Sequence, residues 1–500
     1  MTMVRFKPVP TPAAAPVRAP RPLASRRVYL DSLGCAKNLV DSEATLGLLA
    51  AEGWERTLDP DQADALVVNT CGFLEAARAE SIERILELAQ LKTTSRPRVL
   101  AVLGCLVARA EDEMRDALPE VDVWLPAGEH AALPARLERR WDETPAPEIR
   151  RATDRSGSGR APAGAFAGFA SRVLMTARHT TYLKISEGCT NACSFCSIPL
   201  MRGLQRSRSL ADIVTEARAL VARGAVELHL VAQDLTHYGF DLEQRLDLLD
   251  VVEALAEIDA LEWVRLLYAH PAHLTRRMLD GLFHVPKVVP YLDMPIQHAS
   301  PSVLRRMNRP YGPERVRAQV EQLRATVPGI TLRTTVIVGH PGETNRTFDF
   351  LARFLDEVPF DRLGIFTYSR EPGTPAGDFG GRPRASTAAT RMHALQDAQM
   401  HRAGERSAAR VGERVRMLVD ARLDPVAPAD APIAAGAVAI GRTTGEALDI
   451  DGCVYLESDP DSARVAPGDF IDAVVVASDV YDLRVRMAPP DVRSHAGTTT

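Results

Sequence analysis

From Val28 to Leu118 the chain alternates short apolar runs with longer stretches whose apolar residues recur every three or four positions. Val28–Leu33, Ala65–Asn69 and Val99–Leu103 read as strands, and Ser42–Glu52, Glu75–Gln90 and Ala110–Leu118 as helices. Strands separated by helices predict a parallel, doubly wound sheet. The same alternation resumes near Thr180. Strands are expected at Tyr182–Ser186, Glu227–Ala232, Trp263–Tyr268, Tyr291–Pro295, Thr331–Val338 and Arg362–Tyr368, with helices such as Leu210–Arg223, Leu246–Ile258, Pro313–Ala325 and Thr344–Asp356 between them. Six strand–helix repeats predict an open, partial (β/α)6 TIM-like barrel, whose reactive groups belong at the carboxyl ends of the strands. After about Arg410 helical periodicity disappears. Arg414–Val419, Ala437–Gly441, Asp449–Tyr455, Phe470–Ala477 and Asp482–Met487 read as short strands of a small OB-like β-barrel.

These patterns divide the 500 residues into an α/β multidomain chain. The expected boundaries are a disordered extension over 1–26, a first domain over 27–141, a linker over 142–178, a barrel over 179–404, a small β-barrel over 405–488 and a disordered tail over 489–500. The extension is basic, but Pro8, Pro10, Pro12, Pro16, Pro20 and Pro22 exclude the amphipathic helix of a transit peptide. Residues 143–178, rich in Pro, Gly, Ala and Ser, read as mobile, with Arg172–Arg178 leading into the barrel. Apolar content of 46% and charged content of 25% fit a globular chain, and no apolar run reaches a membrane span. A net charge of −5 disfavours non-specific nucleic-acid binding. The last domain carries 15 acidic and 9 basic residues between Glu405 and Arg486, which favours a basic protein partner over a phosphate backbone.

The cysteines carry the chemistry. Cys189, Cys193 and Cys196 form a CxxxCxxC triad directly after the first barrel strand. Three thiolates on one loop can hold three irons of a 4Fe–4S cube and leave the fourth open, and an open metal position marks a reactive site. Cys35, Cys71 and Cys105 each follow a strand of the first domain, and each has a glycine neighbour, Gly34, Gly72 and Gly104. The carboxyl ends of parallel strands share one edge of a sheet, so these three thiols are expected to converge as a second cluster site. Oxygen-sensitive clusters call for a reducing compartment, here the cytoplasm. Cys453 stands apart from both triads and reads as an ordinary core thiol.

The motifs resemble a known family along nearly the whole chain. Phe195 in the triad loop matches the signature of radical S-adenosylmethionine (SAM) enzymes. Ser32-Leu33-Gly34-Cys35-Ala36-Lys37-Asn38-Leu39-Val40-Asp41-Ser42-Glu43, Val68-Asn69-Thr70-Cys71-Gly72-Phe73 and Gly104-Cys105-Leu106-Val107 resemble the opening motifs of methylthiotransferases. Ser197–Gly203, Val231–Asp234, Tyr291–Ser300 and Val338–Glu343 resemble the branch that modifies an aspartate of small-subunit ribosomal protein S-twelve. Two departures, Thr190 in place of the usual Asn and His340 in place of the usual Phe, touch no cluster ligand. The resemblance implies a flavodoxin-like first domain, a radical SAM barrel and a C-terminal TRAM barrel. It further implies two 4Fe–4S clusters, with SAM as radical source and methyl donor. The cluster on Cys189, Cys193 and Cys196 would reduce SAM, and the one on Cys35, Cys71 and Cys105 would present sulfur. A reductant such as flavodoxin or ferredoxin and a sulfur donor are the further partners implied.

Other residues carry two readings each. Gln233 and Asp234 end the second barrel strand, where they either face SAM or cap the strand. Arg333, on the fifth strand, points to the SAM carboxylate or to solvent. Gly339, Gly342 and Glu343 form a strand-to-helix turn in which Gly339 allows close approach of a cofactor. Gln297 and His298 end the fourth strand, His298 as a hydrogen-bonded structural imidazole. Asp449, Asp451 and Asp482 are candidates for contact with the basic partner, or else solvated turn residues. Two rival functions remain at this point. One is methylthiolation of a tRNA adenosine, which calls for a basic face on the last barrel. The other is a non-catalytic iron–sulfur RNA-binding or electron-carrier protein, which calls for a fourth cysteine.

Overall fold

The computed structural model describes residues 26–94, 99–142, 163–423, 432–460 and 462–489. Residues 1–25 of the expected N-terminal extension and 490–500 of the C-terminal tail lie outside them. The first domain runs β1 (Arg27–Ser32), α1 (Ala36–Ala51), β2 (Glu55–Arg56), β3 (Ala65–Thr70), α2 (Glu75–Thr94), β4 (Val99–Gly104), α3 (Cys105–Ala117), β5 (Val123–Pro126) and α4 (Leu133–Asp142). Its sheet has the order β2-β1-β3-β4-β5 with every pair parallel, the flavodoxin-like arrangement. Every residue of β3 and β4 is buried, as expected of parallel strands covered on both faces.

The second domain runs β6 (Thr180–Lys184), β7 (Ser186–Glu187), α5 (Ile198–Arg202), β8 (Arg206–Ser207), α6 (Leu210–Ala222), β9 (Glu227–Val231), α7 (Leu248–Ala256), β10 (Trp263–Leu266), α8 (Arg276–Gly281), β11 (Val288–Asp293), α9 (Pro301–Arg306), α10 (Pro313–Thr326), β12 (Thr331–Val338), α11 (Asn345–Glu357), β13 (Arg362–Thr367) and α12 (Ala385–Ala409). The six main strands form one parallel sheet, β13-β12-β11-β10-β9-β6, while β7 and β8 pair as a short antiparallel ribbon. Its crossover helices begin where short polar side chains cap them: Ser209 accepts from the amide of Asp212, and Asp247 and Thr344 each form reciprocal capping boxes. The core of the sheet and its helices is aliphatic, built from residues such as Leu183, Leu230, Leu266, Leu292, Leu332 and Ile365.

Residues 163–178 correct the expectation of a mobile linker. Phe169 and Arg172 are almost fully buried, and the Arg172 guanidinium pairs with Glu43 on α1 (3.2 Å) and Glu216 on α6 (3.0 Å). The small residues that suggested mobility allow this segment to lie flat on α1. Residues 143–162 fall outside the described part of the chain.

The last domain is a closed five-stranded barrel of β14 (Arg414–Arg422), β15 (Ala437–Arg442), β16 (Val454–Glu457), β17 (Phe470–Ser478) and β18 (Leu483–Met487), in the order β14-β15-β16-β18-β17. It docks at the amino ends of the radical-barrel strands. Arg442 pairs with Glu227 at the start of β9 (2.7 Å), Arg362 at the start of β13 pairs with Glu446 (3.3 Å), and Arg265 donates to the carbonyls of Thr443 and Thr444. Asp451 is part of this seam. It accepts from the Tyr291 hydroxyl (2.7 Å) and the Ala447 amide, and its side chain is 3% exposed. The expectation that Asp451 meets an external partner is therefore overturned. Asp482 accepts from the Cys453 amide (2.7 Å), and Asp449 is exposed in a turn with φ 59°. No helix among the described residues is long and apolar enough to cross a membrane.

Candidate active site

The first thiol triad is assembled by three strand-to-helix turns. Cys35 precedes α1, Cys71 follows β3 and Cys105 opens α3. Asn38 holds two of the turns together by donating to the carbonyls of Leu33 and Thr70, each at 2.9 Å. Asn69 ties α1 to β3 through the Asn38 carbonyl and Ser42 Oγ, and Ser81 on α2 bonds both the amide and the carbonyl of Cys71. The turns approach closely enough to require glycine. At Gly34 (φ +90°) a Cβ would lie 3.0 Å from Cys71 Sγ, and at Gly72 it would lie 2.7 Å from the Cys105 carbonyl oxygen. Burial and the neighbouring thiols Cys105 and Cys35 push the Cys71 thiol up to about 12. Burial also raises Cys105, against Arg202, whose Nε lies 3.2 Å from its sulfur. Burial alone would raise Cys35 too, but Lys37 and Arg202 outweigh it and hold Cys35 below its ordinary value.

The second triad lies on the loop between β7 and α5. Asn308 donates to the Ala192 carbonyl (2.7 Å), Ser194 bonds the carbonyls of Arg306 and Met307, and the Cys189 amide bonds Gly203. Thr190, one of the two departures, accepts from the Gln205 amide through Oγ1 at 3.2 Å. Burial raises Cys189 to about 11 and lifts Cys196 further, with Cys193 adding to both. Phe195 meets His340 edge to face (6.4 Å), and His340 meets Tyr368 in the same way (5.2 Å). The imidazole at position 340 thus fills an aromatic position, and burial lowers its pKa to about 4, so it is neutral near pH 7.

Two arginines join the triads. Arg109 on α3 donates to the Gly72 carbonyl (3.2 Å) and to Ser197 Oγ (3.3 Å), and so links the residues after Cys71 and Cys196. Arg202 on α5 reaches Cys105, Asn38, Asp41 and Glu187. Asp41, Glu187, Lys184 and Arg202 form a buried quartet of two anions and two cations. Lys37 and Arg309 differ. Both are buried, and among the described residues no carboxylate pairs with either. Lys37 Nζ lies 3.5 Å over the Tyr268 ring beside Cys35, and Arg309 Nη1 lies 3.6 Å from Cys193 Sγ. Buried cations require an anion. Each triad therefore has one uncompensated cation beside it, which fits a cluster that carries thiolate charge. Among the described residues, only Asp234, His270 and His273 bring three ligand atoms within 4.8 Å of one another, so neither triad is gathered tightly enough for a single zinc ion with Zn–S bonds of about 2.3 Å.

Gln233 donates to Glu187 (3.2 Å), and its Oε1 is buried without a partner. Asp234 accepts from Asn191 of the triad loop (2.8 Å), from His273 (2.7 Å) and from Thr236. Arg333 neither faces open solvent nor stands unpaired: it binds Asp293 at 2.9 Å. At Gly339 a Cβ would lie 2.7 Å from Ala388 Cβ on α12, and the Gly339 amide donates to Glu343, so helix packing accounts for the glycine. Glu343 also pairs with Arg391 (2.5 Å) and lies 3.5 Å from His298, whose Nδ1 accepts from Ser300. Gln297 adopts φ 64° and bonds β12 through its backbone. Cys453 is half-buried and raised to about 12 by burial and Asp482. Sequence reasoning missed Lys37, Arg202, His270 and Arg309 as site residues. Lys37 and Arg202 sit inside quoted motifs, whereas His270 and Arg309 had no signal beyond their residue type.

Residues 183–355 match the radical SAM superfamily, residues 411–487 the TRAM domain and residues 27–126 a family described as uncharacterized protein family UPF0004. A radical SAM methyltransferase from Kitasatospora setae, TsrM, solved with cobalamin and a [4Fe-4S] cluster, shares the fold, with a TM-score of 0.53 and 17% identity over 71% of this chain and 77% of that one. The chain is a radical SAM enzyme, and that class uses SAM and 4Fe–4S clusters. Its relatives are more specific. The ribosomal protein uS12 methylthiotransferase RimO of Anaeromyxobacter is 41% identical over 92% of this chain and 93% of its own length. The protein of the same name from Geobacter sulfurreducens is 40% identical over 92% of this chain and 98% of its own. The chain belongs to this RimO family of methylthiotransferases.

Proposed function

We propose that this enzyme adds a methylthio group to the β-carbon of an aspartate in ribosomal protein uS12, in the cytoplasm, drawing electrons and sulfur from separate partner proteins. The observation that carries the reading is the pairing of two three-thiol sets across one domain boundary, each beside a buried cation that lacks a carboxylate. A plain electron carrier needs neither a second triad nor an incomplete ligand set.

Cys189, Cys193 and Cys196 would hold one 4Fe–4S cluster and Cys35, Cys71 and Cys105 the other. When bound, the clusters and SAM supply the electron, the radical that attacks an unactivated C–H bond, the sulfur and the methyl group. The chain's own part is position and charge. Arg309 and Lys37 offset negative charge at Cys193 and Cys35. Arg109 and Arg202 fix the distance between the two loops. α1 covers the strand ends and excludes water, which strengthens every electrostatic contact inside. Gln233 is placed on Glu187 at the rim of the same space, with an acceptor oxygen free for a ligand. Arg333 and Gly339, expected at the cofactor, would support it through Asp293 and through the packing of α12.

Mass spectrometry of uS12 and of tRNA from cells with and without the gene tests the reading. The expected result is a methylthio mass increase on one uS12 aspartate that vanishes on deletion. A mark lost from tRNA adenosine instead would replace the protein substrate with a nucleic acid.

A further inference from the structure

Two buried N–H groups beside the CxxxCxxC loop have no acceptor. His270 follows β10 and is 7% exposed. Its Nδ1 accepts from the Ala272 amide (3.1 Å), so in the neutral ring Nε2 carries the proton, and Nε2 is buried with no partner. Arg309 is 6% exposed. Its Nη2 donates to the Pro295 carbonyl (2.7 Å) and its Nη1 reaches Cys193, while its Nε has no partner. The two side chains lean on one ring. The Tyr311 centroid lies 5.7 Å from that of His270 and 5.5 Å from the Arg309 guanidinium carbon. The Tyr311 hydroxyl is itself engaged, donating to the Ile296 carbonyl (2.9 Å).

We propose that His270 and Arg309 form a carboxylate-binding pair beside Cys193. A buried guanidinium whose Nε has no acceptor, next to a neutral imidazole donor, asks for an acceptor that is anionic and offers two oxygens. The nearest acid, Asp234, is already engaged by Asn191, His273 and Thr236. A metal ion is the poorer occupant, because a ligating nitrogen must be unprotonated and the free nitrogen of His270 carries the proton. Burial, reinforced by Arg309, keeps that imidazole neutral. Under the uS12 reading, on which the ligand's identity rests, the carboxylate comes from one of two sources. It is the α-carboxylate of SAM or the side chain of the target aspartate.

The test uses the anaerobically reconstituted full-length enzyme and four probes: SAM, decarboxylated SAM, a peptide spanning the target aspartate and its asparagine counterpart. Equilibrium binding is measured for the parent, His270→Ala and His270→Gln. Because Arg309 also touches Cys193, the deciding variants are at His270, and their iron content should match the parent. One carboxylate-bearing probe should bind His270→Ala about ten- to a hundredfold more weakly, the loss expected for one hydrogen bond to a charged group. Its carboxylate-free counterpart should be unaffected, and His270→Gln, which keeps an N–H donor, should recover part of the loss. A loss confined to SAM assigns the α-carboxylate, and one confined to the aspartate peptide assigns the substrate. Equal losses with and without the carboxylate would show a packing role and overturn the proposal, as would unchanged binding of both probe pairs. A parent that does not distinguish either pair overturns it without any variant. Product formation by the parent, followed separately, reports on the uS12 reading alone.

Discussion

At the scale of single residues, the most telling position is His340, an imidazole in an aromatic box. Its Nδ1 donates to the Pro341 carbonyl (3.0 Å), and Nε2 is buried without a partner. With the folded-state pKa lowered to about 4 from the ordinary 6.5, the unfolded chain takes up the proton first as pH falls. The stability linked to this group is complete above about pH 6.5 and is lost on the way down to about 4, at no more than about 1.4 kcal/mol per unit. In iron-free protein, His340→Phe should remove that slope. Urea titrations at several pH values should give a parent–variant difference that is flat above pH 7 and changes between 6.5 and 4. Parallel curves across the range would contradict the assignment. Under the proposed assignment, the six clustered thiols would act through iron rather than through pH. Replacing Cys189, Cys193 and Cys196 with Ala should leave about half of roughly eight irons and abolish SAM cleavage. The same change at Cys35, Cys71 and Cys105 should leave about half the iron, preserve SAM cleavage and stop methylthiolation. Iron analysis and deoxyadenosine release distinguish the two variants.

At the scale of elements, α1 explains why its motif is so particular. A helix covered by solvent on one side has an apolar stripe and a polar stripe, whereas α1 buries Lys37, Asn38, Asp41, Ser42, Glu43 and Thr45 together with its leucines. The buried polar groups are tied to the rest of the fold. Asn38 joins two turns, Asp41 meets Lys184 and Arg202, and Glu43 accepts from the Met175 amide (2.7 Å) and pairs with Arg172. Asp41→Asn should therefore cost about 3–5 kcal/mol, since breaking a buried ion pair strands the remaining charges. Asp31→Asn, which loses only the partly exposed pair with Arg84, should cost about 1 kcal/mol or less. Chemical denaturation of both variants measures the contrast. The elements also show where sequence reading holds. The positions of the six thiols at strand ends were legible because strand periodicity and the topology of parallel sheets determine them. The segment 163–178 was misread because its Ala and Gly content suggests a linker, while its burial depends on Glu43 and Glu216, far away in the chain. Asp451 was misread because an acid in a turn carries no mark of the tyrosine that buries it. His270 and Arg309 could not be paired before the fold placed both against Tyr311.

At the scale of the whole molecule, three carboxylates hold the last barrel to the radical barrel or lie beside that seam. Burial opposes ionisation of each, yet Arg442 holds Glu227 and Asp420 below their ordinary values, and Arg410 and Arg362 do the same for Glu446. Groups lowered in this way stabilise the docked state fully above their unfolded values, about 4.5 for Glu and 3.8 for Asp, and progressively less as pH falls toward their folded values. Acid should release the C-terminal barrel before the aliphatic cores melt. Hydrogen exchange should show protection lost first at β9 and at residues 442–451 as pH drops below about 4.5.

The seam also sets an order of assembly. The ribosome makes the chain from its first residue onward, and domains fold as they emerge. One end of the radical barrel meets α1, which is already folded when β6 leaves the tunnel. The other end depends on Arg442 and Asp451, made after every strand of that barrel. Until then Glu227 lacks its second guanidinium and Tyr291 its acceptor. A chain stalled before Arg442 carries all six clustered thiols around a core whose base is wet. Such a chain would hold its thiols at the covered end while the opposite end stays open to water, so the last barrel closes the core without building the site.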